Sequence, residues 1–560
     1  IMDKYSTTRY NKAPTIAHSR TRFDLSHNIL TTCNTGDLVP VLVEPIYPGD
    51  TVSLNTASLT RLETSLHQTM DNAYIEFAFF FVPLDQVWEN FDKFLGANDD
   101  AWTQENEYNI PQLLLMADGD LDGFTVEPGS LLNHLMLPSG VYGGGLEDRD
   151  SALSVDALPL RSVFKIWNEW FRDQNYDSII YFGDGDNDIY LDEGFLLNGE
   201  YFYPASSALK VNRFHDIFST ALPAPQKGQE VTISPFAGLT DVILKDPSTS
   251  TQKLVDSDGV GVVSTNFASG PQLLDDLKGN TTSLFDPNGS LAVDLGSATA
   301  VTINQLRLAI VTQAMAERDA RGGTRLTEKI YSTWNVKAPS LELGRSEFLG
   351  GKRFPITMME VLQTSETGVT VLGSDAGHSK TLDNSESFVK SFTDYGWLIG
   401  FAFMRTARSY SQGIDRKFRN KSKYDLYDPM LDNIGELAVL KQELYAVDLG
   451  DATYVAEANE VWGYQEPWYH LKERLNRFSG YFQPGISGTM DSWHYGDNYS
   501  EIPQNSASWL KEGAENVDRT IAVTSDAVYA YQWRLNVHFD LKVTREMKKY
   551  PVPNTFGFGY

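Results

Sequence analysis

Residues 48–100 read PGDTVSLNTASLTRLETSLHQTMDNAYIEFAFFFVPLDQVWENFDKFLGANDD, and they decide the fold class. A Pro-Gly-Asp turn leads into two β-type segments. In the second, Tyr74–Val82, the residues Ile75, Phe77, Phe79 and Phe81 alternate and so fall on one face of a strand. Pro83 stops that strand, and Trp88, Phe91, Phe94 and Leu95 then recur at helical spacing. On residue types alone, this aromatic density reads as the core of a β-rich protein and assigns no function.

Working outward, strand signals dominate. In Tyr531–Val543 the residues Tyr531, Trp533, Leu535, Val537, Phe539, Leu541 and Val543 alternate with polar ones. Thirteen residues of period two predict a strand roughly 43 Å long with one buried and one polar face. Glu230–Ser234 and Trp397–Phe403 are further strands by the same reading. Helical signals fall between them. Leu160, Val163, Phe164, Trp167 and Phe171 form a stripe just after Pro159, a good first-turn residue, and Gln305–Ala320 reads as a helix ended by Gly322–Gly323. This pattern predicts a mainly β fold, an antiparallel two-sheet sandwich with helices confined to long connections. Barrel and solenoid stay open at this level, although no internal repeat is visible.

Composition narrows the function classes. The chain has 560 residues, 41% hydrophobic and 12% aromatic, enough for a large core. Its longest apolar candidate, Trp397–Met404, is far shorter than the ~18 residues of a membrane span, and a polar, basic beginning predicts no secretion signal. Cys33 is the only cysteine, so no intrachain disulfide can form, and folding in a reducing cytoplasm is the simplest expectation. A net charge of −28 makes the chain a poor nucleic-acid binder unless its cations are gathered on one surface.

Two stretches gather them. Residues 1–22 hold Lys4, Arg9, Lys12, Arg20 and Arg22 against Asp3 and read as a flexible arm. Arg405, Arg408, Arg416, Lys417, Arg419, Lys421 and Lys423 oppose only Asp415, with Tyr410, Phe418 and Tyr424 interleaved. Cations that track phosphates and rings that stack on bases hold single strands without sequence preference. A subunit interface, with these arginines meeting a neighbour's acids, is the competing reading.

Signals for catalysis are absent. The nine histidines are scattered, and no metalloprotease, nucleophile-elbow or phosphate-loop motif occurs. Cofactors are not expected, nor is an enzyme. Asp118, Asp120 and Asp122, followed by Gly123, fit the opening of a calcium loop. Position twelve, however, is Gly129 instead of a bidentate glutamate, so a solvated turn is the better reading. Asp184, Asp186 and Asp188 lack even the glycine.

The order of elements from residue 48 onward, with PGDT, R-x-x-T, MDNAY, FFFVP, VW-x-x-F-x-KF and LG, resembles the major capsid proteins of the microviruses, in their gokushovirus branch. The resemblance continues through ALPLRSVFKIWNEWFRDQN (157–175), FSTALPAPQKG (218–228), INQLRLAIVTQAMAERDARGGTR (303–325), EFLGGKRFPI (347–356) and QTSET (363–367). It runs on through SYSQGIDRKFRNKSKYDLYDP (409–429), GELAVLKQELY (435–445), VWGYQEPW (461–468), MDSWHY (490–495) and VDRTIAV (517–523). Residues 239–302 and the tail PVPNTFGFGY (551–560) depart from it.

That resemblance implies an eight-stranded viral jelly roll with large loop insertions containing a few helices. It implies a structural protein that self-assembles into a T=1 icosahedral shell around circular single-stranded DNA in the host cytoplasm. Implied partners are a small basic DNA-binding protein, a minor pilot protein and a host-cell receptor. The jelly-roll core is expected over 23–238 and 303–560. Residues 239–302, with eight Asp against three Lys and neither Trp nor Tyr, are expected to be the family's variable surface insertion, a protrusion at the three-fold axis with small strands of its own. A secreted glycan-binding or glycan-cleaving β-sandwich is the alternative from another class. It would fit the aromatics and acidity but predicts a signal peptide.

Overall fold

The structure is a computed structural model. It describes residues 19–550 except 98–107, 119–122, 136, 144–151, 338, 340–343, 363–374, 433, 448–449, 451 and 523–530, and of 230–302 only five short strands. The expected strand Glu230–Ser234 therefore lies outside the described residues.

Nine strands build two facing sheets: β1 (Thr21–Asp24), β2 (His27–Cys33), β3 (Asp37–Ile46), β4 (Thr51–Leu62), β5 (Ala73–Pro83), β6 (Glu347–Pro355), β7 (Thr381–Ser391), β8 (Gly396–Thr406) and β9 (Trp533–Arg545). One sheet runs β1/β2–β9–β4–β7 and the other β3–β8–β5–β6, with the short strand Leu209–Lys210 outside β3. Every pairing among these is antiparallel. β1 and β2 both pair with β9 and act as one strand interrupted at Leu25–Ser26, so the count is eight. Successive strands mostly cross from sheet to sheet, which is the jelly-roll order.

β9 is the clearest case of sequence dictating structure. Trp533, Leu535, Val537, Phe539, Leu541 and Val543 are all buried between the sheets, while Arg534, Asn536 and His538 face out. β5 is less simple. Ile75, Phe77, Phe79 and Phe81 join the core between the sheets, as their alternation predicts. Ala78, Phe80 and Val82 are buried as well, in a second core on the other face of the sheet. The alternation therefore holds, and the face it left undescribed is buried too. The connection 84–346 lays helix α1 (Leu158–Ile166) against β5, so the FAFFFV run is covered on both sides. Beyond Ile166 the helix widens into a π-helical turn, Trp167–Phe171, which brings Trp170 and Phe171 over Phe80.

The chain divides into two compact units, 1–225 with 321–560, and 226–320. The smaller unit contains residues 239–302 and most of helix α2 (Ile303–Arg321). Its described strands pair antiparallel: Val242–Leu244 with Leu291–Val293, and Leu254–Asp256 with both Gly261–Val263 and Leu284–Phe285. The helix is followed by Gly322 and by Gly323 at φ +83°, a left-handed conformation that glycine adopts without strain.

Candidate nucleic-acid interface

The basic run starts in the last residues of β8 and continues into the long connection between β8 and β9, and the structure splits it in two. Arg405 still belongs to the sheet. Its Nε and Nη2 each donate at 2.7 Å to Glu76 on β5, and its guanidinium lies 4.2 Å from the Phe214 ring. Arg408 is buried, its side chain 4% exposed. It donates at 2.7 Å to Asp497 Oδ1 and also to Glu512. Asp497 further accepts from Arg213 at 3.1 Å, Tyr499 OH at 2.6 Å and Asn516 at 2.7 Å. Thr406 Oγ1 donates to the other Glu512 oxygen at 2.7 Å. Burial alone would raise the Asp497 carboxyl, but the two guanidiniums outweigh it and hold the group well below the usual carboxylate range. Burial likewise opposes the charge on Arg408, and Glu512 and Asp497 reverse that, raising it above the ordinary arginine value.

These partners correct the expectation that Arg405 and Arg408 face nucleic acid. Both are occupied within the chain, tying β8 and β5 to the connection that follows. A charge removed from water needs close, hydrogen-bonded partners, and here those partners hold both guanidiniums inside the subunit.

Arg416 and Arg419 are intermediate. Arg416 donates to the Ala438 carbonyl at 2.6 Å and to Tyr469 OH at 3.2 Å. Arg419 donates to Glu443 Oε1 at 2.9 Å, and Tyr469 OH donates to Glu443 Oε2 at 2.6 Å. Burial raises the Glu443 carboxyl above its ordinary value against the pull of Tyr469 and the two arginines. Gly413 lets the chain pass close here, since a Cβ at that position would collide with the Glu443 carbonyl oxygen. Arg416 and Arg419 therefore fix the loop and present only their outer edges.

Beyond them the run opens. Asp415 caps a short 3-10 turn, Arg416–Phe418, and forms an ion pair with Lys417 at 3.1 Å. Phe418 is 74% and Tyr424 66% exposed. Lys421 and Lys423 are also exposed, and among the described residues neither has an ion-pair partner. The Lys417 and Lys423 ammoniums sit 5.0 and 4.8 Å from the neighbouring Phe418 and Tyr424 rings. Over the eight residues Lys417–Tyr424 this puts three exposed lysines and two uncovered rings side by side, with Arg419 turned inward to Glu443. Leu426, Tyr427 and Met430 extend the exposed apolar surface.

The arm residues divide similarly. Arg9 and Lys12 lie outside the described residues. Arg20 donates to the Gly49 carbonyl and, at 3.2 Å, to Thr51 Oγ1, and Arg22 lies exposed on β1. In the suspected calcium loop, Asp120 and Asp122 are outside the described residues, and the Asp118 N–H donates to Asp192 Oδ1 at 3.0 Å. Among the described residues no group of three His, Cys, Asp or Glu side chains is placed to hold a metal. Asp186 accepts from Trp88 Nε1 at 2.6 Å and Asp188 from the Gln112 N–H at 2.8 Å, so the second acidic cluster organises a turn.

Sequence reasoning missed the acids that neutralise the run, Glu76, Glu443, Asp497 and Glu512. Asp497 and Glu512 lie 89 and 104 residues from Arg408, too far for any local pattern to pair them.

The family model described as "Capsid protein (F protein)" matches residues 11–555. The chain belongs to this microvirus capsid protein family. It is 31% identical to capsid protein VP1 of Spiroplasma virus 4 over 95% of each chain, and 31% identical to that of Bdellovibrio phage phiMH2K over 99% of each. With capsid protein VP1 of Chlamydia phage 1 the identity is 29% over 97% of each chain. These relatives are structural proteins of a virion, which displaces the secreted glycan-binding or glycan-cleaving alternative. Among the described residues no helix is long and apolar enough to cross a membrane.

Proposed function

We propose that this capsid protein assembles into a T=1 icosahedral shell enclosing circular single-stranded DNA, and that Lys417, Phe418, Lys421, Lys423 and Tyr424 touch the genome. The observation that carries the DNA role is the exposed alternation of cations and rings over Lys417–Tyr424 in a chain of net charge −28. A subunit this acidic lies against phosphate only where its cations are not already neutralised. Arg9, Lys12 and Arg22 would add to the same surface, with a small basic DNA-binding protein supplying further neutralisation and a minor pilot protein completing the particle. Assembly would take place in the host cytoplasm. Residues 239–302 would project outward at the three-fold axis and contact the host receptor, since exposed variable segments are natural recognition surfaces.

Electron microscopy of purified particles carrying Lys417→Gln, Lys421→Gln and Lys423→Gln tests the reading. Closed shells of normal diameter with reduced DNA are expected. A failure to form any shell would assign the stretch to a subunit interface instead.

A further inference from the structure

A cleft of about 420 Å³ opens beside β6, the terminal strand of its sheet. Its walls are rings: Phe80 from β5, Phe403 from β8, Phe348 from β6, and Trp170 and Phe171 from the π-helical turn. Phe80 is central, with centroid distances of 5.5 Å to Trp170, 5.9 Å to Phe171 and 5.4 Å to Phe348. Phe348 is 45% exposed, so one wall of an otherwise buried aromatic core reaches solvent. The size is that of a small-ligand pocket, and the polar part of its lining is three charged side chains, Glu76, Lys352 and Arg353. The one carboxylate on it, Glu76, is taken by Arg405 and Arg353. Lys352 and Arg353 form a cationic rim, which disfavours a basic partner.

The occupant this cleft calls for is uncharged, extended and aromatic along one side. The chain carries one such segment. Residues 551–560, PVPNTFGFGY, contain no charged side chain. Pro551 and Pro553 favour extended backbone, and the alternation Phe556–Gly557–Phe558–Gly559–Tyr560 puts three rings on one side of an extended chain with glycine between them. The described chain leaves the sandwich at Arg545, which is anchored to Asp50 at 2.6 Å and to the Pro45 carbonyl at 3.1 Å. Residues 546–550 bend there, the Met547 N–H donating to the Arg545 carbonyl at 2.9 Å, and the ten residues beyond Tyr550 span at most about 35 Å. A shell closes through heterologous contacts, in which one surface meets a different surface of the next copy. A ring-bearing tail and a ring-lined cleft form such a pair.

We infer that the tail 551–560 of one subunit docks in the Phe80–Trp170–Phe348 cleft of a neighbouring subunit. The choice of a neighbour rests on the self-assembly reading above; the fit of tail to cleft does not.

The test uses the full chain with Phe558 replaced by the photoreactive benzoylphenylalanine, irradiated and mapped by mass spectrometry. Cross-links joining two chains and mapping to residues 348–353 or 170–171 are expected. Phe348→Asp, at a half-exposed position, should reduce them at least tenfold. Free peptide 551–560 should compete, whereas the same peptide carrying Phe556→Ser and Phe558→Ser should not. The peptide comparison does not depend on how the Phe348 variant folds. Cross-links within one chain would overturn the neighbour assignment. Cross-links elsewhere, or none, would overturn the docking itself. Inter-chain cross-links without closed shells would contradict the T=1 reading and leave this one standing, and closed shells without the cross-link would do the reverse.

Discussion

Arg405–Arg408 and Lys417–Tyr424 belong to one basic run in the sequence and to two different environments in the molecule. The first half ends a central strand, and its guanidiniums are met by Glu76, Asp497 and Glu512 inside the subunit. The second half is wound into short 3-10 turns on the surface, where Lys421, Lys423, Phe418 and Tyr424 meet solvent. Local charge density is the same in both, so density alone does not assign a role. What separates them is where the acids of distant segments come to rest. In the first half, cations do the work of packing; in the second, Lys417 and Arg419 are paired with Asp415 and Glu443, and Lys421 and Lys423 remain available to a partner.

The largest effect expected from this contrast is at Arg408. Arg408→Ala leaves Asp497 and Glu512 buried against a missing charge, and breaking a pair of this kind costs about 3–5 kcal/mol. Urea denaturation of soluble subunits should show a loss of that order, or no soluble subunit at all. A change below about 1 kcal/mol would mean that the buried network is not structural.

The same network has a defined pH dependence. The folded Asp497 carboxyl is held below its ordinary value of 3.8, so its stabilisation is present above 3.8 and is lost only as pH falls through the lower, folded value. The stability gap between the native chain and Asp497→Asn should therefore stay constant from pH 7 to pH 5 and narrow only in stronger acid. Narrowing between pH 7 and pH 5 would contradict the pairing with Arg213 and Arg408. The smallest effect belongs to the surface half. Lys421→Gln with Lys423→Gln should shift denaturation midpoints by less than about 0.5 kcal/mol in free energy, as for surface substitutions in general. Its cost should appear in DNA affinity, where each lost phosphate contact lowers the salt dependence by about 0.7 in log–log slope for a single strand.

Much of the fold was legible. The alternation over Tyr531–Val543 predicted the length of β9 and, from Trp533 on, its buried face, but the strand starts two residues later and Gln532, read as outward, is buried. In β5 the alternation of Ile75, Phe77, Phe79 and Phe81 located one core face, but the equally apolar Ala78, Phe80 and Val82 between them named no second partner. The site was legible as composition and not as geometry. Phe418 and Tyr424 stand out in the sequence as rings among cations, but no local feature distinguishes Arg408 from Arg419. Their partners, Asp497 and Glu443, sit in segments brought near only by the folding of the long β8–β9 connection. The aromatic cleft was hidden for a similar reason. Phe171 reads as the end of a helical stripe that leaves Trp170 out, and the contact of Trp170 with Phe348 joins rings far apart in the chain.

Cross-linking nucleic acid to protein inside intact particles, followed by peptide mapping, tests the division of the basic run most directly. Adducts on Phe418, Lys421, Lys423 or Tyr424, with none on Arg405 or Arg408, are the predicted result. Particles that contain DNA but carry no adduct anywhere in 417–424 would contradict it.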